Sequence, residues 1–302
     1  MTEHALQTDE FALVPENAAE AGVPTGTLLP VRRTTITTPA GRMSAIRWGE
    51  SSPQVVFLHG GGQNAHTWDT VILGLGLPAL AVDLPGHGHS DWREDADYSP
   101  GSNAATVAGA LEAVEIAAVP VVGMSLGGLT GIALAARHPG TASRLVVVDV
   151  TPSVLARIER MTTAQRGTTA LIGGPATFDD VEDMIAAASA AAPDRPAASI
   201  RRGVLHNSKR LSDGRWTWRY DQPRPSGARA YEELWEDVSA LSVPVTLVRG
   251  GNSTFVGDED AAAFIGRCPG ATVEVVEGAG HSVQSDRPRE LASLLRRMLG
   301  VG

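Results

Sequence analysis

The chain has 302 residues, 43% of them hydrophobic, and a formal net charge of −9. That length can hold one large core plus a subdomain, while the acidic balance and the lack of any Lys/Arg run exclude nucleic-acid binding through a basic patch. The lone cysteine, Cys268, rules out an intramolecular disulfide or a cysteine-based metal site, and no stretch approaches the ~20 apolar residues of a membrane span.

Residues 1–30 carry early acids (Glu3, Asp9, Glu10) and lack a positive start followed by an apolar run. They do not read as a signal peptide, and are expected to form an N-terminal extension that packs weakly or frays. A cytoplasmic location, with no membrane partner, is the matching expectation. β-like segments follow at Val31–Thr38 and Met43–Trp48, joined by the turn signal Pro39-Ala40-Gly41. Gln54–Leu58 and Leu80–Leu84 read as short buried strands. Ser102–Ile116 reads as a helix with Ser102 as its N-cap.

Val119–Gly123 and Leu145–Asp149 are apolar runs of the fully buried, parallel-sheet kind, and Val243–Arg249 and Thr272–Val276 repeat the pattern. Arg287–Leu299 closes the chain as an amphipathic helix. Strands alternating with helices predict an α/β fold, a doubly wound and mostly parallel sheet. The alternation stops between 152 and 236, where Ala-rich helical segments carry Trp216, Trp218, Tyr220, Tyr231 and Trp235. This stretch is expected to be a helical lid inserted after strand six, with the core in 31–151 and 237–302. The basic pairs Arg32-Arg33 and Arg201-Arg202 read as solvated.

Residues 121–128, Val-Val-Gly-Met-Ser-Leu-Gly-Gly, place a Gly-x-Ser-x-Gly element between a buried strand and the helical stretch Leu126–Arg137. Such a serine sits on a sharp strand-to-helix turn, its hydroxyl at the tip and a helix N-terminus behind it to favour an oxyanion. The glycines permit a strained backbone and avoid clashes with the adjacent strand and helix. A second string, His59–Gly62, follows the strand Gln54–Leu58, and its glycines let a backbone N–H face developing negative charge. A phosphate cradle of the Walker type would need Gly-Lys-Ser/Thr, which is absent. His281, in Gly278-Ala279-Gly280-His281-Ser282, follows the last predicted strand, where a base for Ser125 belongs in chain order.

With Val82-Asp83-Leu84-Pro85-Gly86-His87-Gly88-His89-Ser90 added, the chain resembles the α/β-hydrolase fold superfamily over about 31–302. The resemblance implies a serine hydrolase that needs no cofactor and no metal. It also implies an oxyanion hole from the N–H groups of Gly61 and Leu126. The Asp83, His87, His89 string reads as a structural turn, since the family carries it without a metal.

The acid is open. The family's usual position after strand seven holds Ser253, in Arg249-Gly250-Gly251-Asn252-Ser253-Thr254. Asp149 ends strand six, where some members keep their acid. Asp258 opens a helix as its expected N-cap. Asp149 is the preferred candidate, with Asp258 or an acid-poor dyad as the alternatives.

The expected chemistry is hydrolysis of a small ester by Ser125, His281 and Asp149 through an acyl-enzyme. Carbon–carbon, lactone or amide hydrolysis, or cofactor-free perhydrolysis, uses the same residue types, and a ligand receptor with a vestigial triad is the alternative of another class. Serine at the elbow excludes the aspartate-dependent dehalogenases and epoxide hydrolases. Trp216, Trp218 and Trp235 are expected to glue the lid to the core or to line an acyl pocket. Trp68 and Trp92 are expected near the motifs without a contact role. Arg201, Arg202 and Arg219 are expected to be solvated. No feature of the sequence sets an oligomeric state.

Overall fold

A computed structural model describes residues 9–221 and 229–301. Residues 1–8 of the expected extension and 222–228 of the expected lid lie outside the described residues. In chain order the elements begin with α1 (Val14–Ala21), β1 (Val31–Thr38), β2 (Gly41–Trp48), β3 (Val55–Leu58), α2 (Asp69–Leu75) and β4 (Ala79–Asp83). The centre of the chain gives α3 (Pro100–Ala113), β5 (Val119–Met124), α4 (Leu126–Arg137) and β6 (Ala142–Val148). Then come α5 (Val154–Arg160), α6 (Thr163–Arg166), α7 (Val181–Ala191), α8 (Ala197–Asn207), and the hairpin β7 (Ser208–Arg210) and β8 (Trp216–Trp218). The chain finishes with α9 (Arg229–Glu232), α10 (Leu234–Ala240), β9 (Val245–Gly250), α11 (Asp258–Arg267), β10 (Thr272–Val276), α12 (Val283–Asp286) and α13 (Pro288–Leu299).

Eight strands form one sheet in the order β1-β2-β4-β3-β5-β6-β9-β10. Only β2 runs against its neighbours; every other pair that excludes it is parallel. Side chains alternate across the pleat, so each strand feeds two cores. Leu58, Val121, Val147 and Leu247 face α3, α4, α10 and α11. Phe57, Val122, Val148 and Val248 face α1, α2 and α13. Burial on both faces explains the unbroken apolar runs in the sequence. A third apolar cluster, including Met184, Ile200, Val204, Trp216 and Trp218, lies within 152–236.

Several expectations are corrected. The segment from residue 9 does not fray: Val14 and Ala18 of α1 are buried against α2. The N-cap of α3 is Ser99, whose hydroxyl accepts from Ser102 N–H, and Pro100 takes the first turn, where a missing N–H costs nothing. The N-cap of α11 is Gly257, not Asp258. β10 is an edge strand with only Val276 buried, because β9 covers one of its edges and no strand among the described residues pairs with the other.

The basic pairs are only half solvated. Arg33 pairs with buried Asp83 (2.7 Å) and with Glu10, while Arg202 is 6% exposed and holds Glu20 and Asn17. Arg219 donates to the Ser208 carbonyl at 2.7 Å, while Arg32 is exposed and Arg201, paired with Glu182, stays at the surface.

Candidate active site

Ser125 occupies the bend between β5 and α4 with φ 51° and ψ −118°. A side chain at Gly127 would meet the Leu58 carbonyl at 2.2 Å, and one at Gly123 would meet the Gly127 carbonyl at 2.2 Å. Only glycine lets β3, β5 and α4 close this tightly, and closure drives the serine into the left-handed region. Leu126 opens α4, so its N–H has no acceptor within the helix.

The loop carrying Gly61 is held by two histidines whose tautomers follow from their partners. Leu84 N–H donates to His59 Nε2 (2.9 Å), so Nδ1 carries the proton and donates to the Gly60 carbonyl (2.8 Å). In a trans peptide the Gly61 N–H points opposite to that carbonyl. Burial, with His87 nearby, pushes the His59 pKa down to about 3, so the ring stays neutral. His87 Nε2 accepts from Gly62 N–H (3.1 Å) and Asn207 Nδ2 donates to the Gly62 carbonyl (2.7 Å). Asp83 takes the N–H groups of Ala65 and His89, so the Asp83–Ser90 string is a braced turn.

His281 Nδ1–H donates to Asp149 Oδ2 at 2.8 Å. A carboxylate only accepts, so Nε2 keeps the lone pair, and it is buried without a hydrogen-bond partner among the described residues. Asp149 is fully buried and has φ 53°, a left-handed conformation that aspartate tolerates better than most residues. Gly250 N–H donates to its Oδ1 (2.9 Å), and the Ser253 hydroxyl donates to its Oδ2. Asp258 lies elsewhere, with its side chain 96% exposed and paired with Arg249.

Ser125 and His281 line one cavity with Gly61, Gly62, Met124 and Gln284, and Ile172, Trp218 and Tyr220 of the inserted segment line it as well. Phe255, unremarked in the sequence, stacks on the His281 ring at 3.5 Å. Ser253 was legible only as a missing acid. Trp216 is buried in the inserted segment's own cluster, Trp235 packs against Phe264, and Trp68 packs against Phe57. Trp92 is 47% exposed beneath Lys209, and Cys268 is buried.

His66, Asp69 and His206 bring three possible metal donors within 4.8 Å of one another. Both nitrogens of His66 already face carboxylates, Asp69 at 2.8 Å and Glu10 at 3.0 Å, and the His206 ring stacks on it at 3.7 Å and 15°. Near-parallel rings aim their lone pairs along near-parallel lines, so this arrangement suits an ion-paired imidazolium better than a shared cation. Burial lowers the His66 pKa, but Asp69 and Glu10 outweigh it and hold it at about 9. Burial, and then the charge of His66, keep His206 neutral.

The alpha/beta hydrolase family model matches residues 55–294. Esterase Rv0045c of Mycobacterium tuberculosis is 56% identical over 292 residues, 96% of each chain. Lipase LipV of the same organism is 29% identical over 261 residues, covering 84% of this chain and 96% of that one. A solved structure of the M. tuberculosis esterase superposes with a TM-score of 0.86 at 56% identity, over 97% of this chain and 99% of that one. Among the described residues, no helix is long and apolar enough to cross a membrane.

Proposed function

The chain belongs to the alpha/beta hydrolase family and is an enzyme of the esterase type, and from that premise we propose that it cleaves a small ester through an acyl-enzyme on Ser125. His281 Nε2 takes the Ser125 proton as Oγ bonds to the ester carbonyl carbon. The N–H groups of Gly61 and Leu126 receive the oxyanion; a donor of this kind is typically worth ~3–4 kcal/mol of transition-state stabilisation. The imidazolium gives its proton to the departing alcohol as the carbon–oxygen bond breaks. It then takes a proton from water, which attacks the acyl-enzyme and releases the acid and Ser125. Asp149 fixes the ring and stabilises its charged form.

One observation carries this reading: the His281 tautomer is set by a buried carboxylate, which leaves an unpartnered lone pair beside the cavity that Ser125 lines. No step calls for a cofactor. The described residues of 152–236 act as a cap over the core formed by the described residues of 31–151 and 237–302, and side chains such as Ile172, Trp218 and Tyr220 shape the substrate site. The single buried cysteine supports a reducing, cytoplasmic setting. A fluorophosphonate probe tests the mechanism. Labelling should occur on the wild type and vanish in Ser125→Ala; labelling that survives the substitution overturns the assignment.

A further inference from the structure

Four buried polar atoms, each on a residue that lines the cavity, have no hydrogen-bond partner among the described residues: His281 Nε2, Gln284 Oε1, Trp218 Nε1 and His206 Nε2. The mechanism uses the first and leaves the other three. Gln284 is 1% exposed and Trp218 5%. A buried donor or acceptor left unmade costs about 1–3 kcal/mol, and a buried indole N–H usually finds an acceptor.

The orientation of the Gln284 amide is fixed by its neighbours. Gly60 N–H donates to Gln63 Oε1 (3.1 Å), so that atom is the carbonyl oxygen. Gln284 meets the same oxygen at 3.3 Å and must present Nε2 to it, and the same Nε2 donates to Thr67 Oγ1 at 3.0 Å. Its Oε1 is therefore a committed acceptor with nothing to accept from. Trp218 Nε1–H can only donate. The neutral ring of His206 adds a third polar position.

We propose that these groups form a polar subsite, and that the substrate is an ester whose non-reacting part carries a hydrogen-bond donor and an acceptor, such as an amide, in place of a plain alkyl chain. Gln284 accepts from the substrate N–H or O–H, and Trp218 donates to its carbonyl. The inference rests on the esterase reading and deepens it. Unpartnered indole nitrogens also occur at Trp48 and Trp68, but neither residue lines this cavity.

Three p-nitrophenyl esters of nearly equal shape test it: pentanoyl, levulinoyl and N-acetylglycyl. The first step adds a carbonyl acceptor and the second replaces a methylene by N–H. Each kcat/KM is divided by that ester's uncatalysed hydrolysis rate. A rise of about tenfold at each step is expected for the wild type. Trp218→Phe should flatten the first step and Gln284→Met the second. The ratio within each variant is the readout, so a general loss of activity cancels. Equal corrected rates for the three esters in the wild type overturn the proposal even if the variants do not fold, and so do variants that keep the wild-type ratios. Failure of the esterase reading looks different: none of the three is turned over, and the subsite falls with it.

Discussion

Ser253 donates its hydroxyl to Asp149 Oδ2, the same carboxylate oxygen that meets His281 Nδ1. Phe255 N–H in turn donates to Ser253 Oγ (3.2 Å), which fixes the direction of the hydroxyl. The serine at the position where the resemblance implies an acid thus braces the carboxylate proposed as the acid, which comes from the neighbouring strand. Ser253→Ala removes one donor to a charged group, worth about 1.5–3 kcal/mol. We expect kcat to fall roughly three- to thirtyfold with little change in KM. The double variant Asp149→Asn with Ser253→Asp should recover part of what Asp149→Asn alone loses, because the carboxylate returns within reach of the ring. Steady-state kinetics of the three variants decide this, and a double variant no better than Asp149→Asn rejects it.

Asp149→Asn keeps the shape of a fully buried side chain but unsettles the His281 tautomer. Ester turnover should fall by about two to four orders of magnitude. Asp258→Asn, at an exposed helix start, should change kcat less than about twofold. Reversed outcomes would remove Asp149 from the mechanism.

His59 positions a peptide rather than touching substrate. His59→Leu leaves Leu84 N–H and the Gly60 carbonyl unpaired and frees the Gly61 N–H to turn. We expect a fall in kcat of about ten- to a hundredfold at nearly constant KM, with a slower reaction toward the fluorophosphonate probe. A change confined to KM would contradict the positioning role.

The His66 network makes stability depend on pH. The ring is 4% exposed and is faced by Asp69, Glu10, Arg33 and stacked His206. Its folded pKa of about 9 lies above the 6.5 of the free side chain. Its stabilisation is therefore complete below about pH 6.5 and is lost as pH rises through about 9, amounting to about 3 kcal/mol. Urea unfolding near pH 7 and near pH 10 should show this loss in the wild type and not in His66→Asn. Equal losses in both would sink it.

Much of the framework was legible because its causes are local. The Gly-x-Ser-x-Gly bend is written in adjacent residues, since Gly123 and Gly127 must lack side chains for the strand and helix to meet. Strands buried on both faces announce themselves as apolar runs. The edge strand β10 misled, because Thr272–Val276 reads as another buried apolar run while its edge position, set by strand order, leaves it exposed.

What lay beyond the sequence depends on separations in the chain that only folding closes. Asp149 and His281 are 132 residues apart, and Arg202 and Glu20 are 182 apart. Pairing β6 with β9 brings the end of one strand beside the loop of the next, and so gives Asp149 both Gly250 N–H and Ser253. Residues of α8 and Trp218 of β8 line the same cavity as Ser125, and tertiary packing decides that the Trp218 indole nitrogen and Gln284 Oε1 are buried without partners among the described residues. Local sequence fixes backbone conformation, because sterics act between neighbouring residues; hydrogen-bond partners and burial are properties of surfaces brought together, and no single segment carries them.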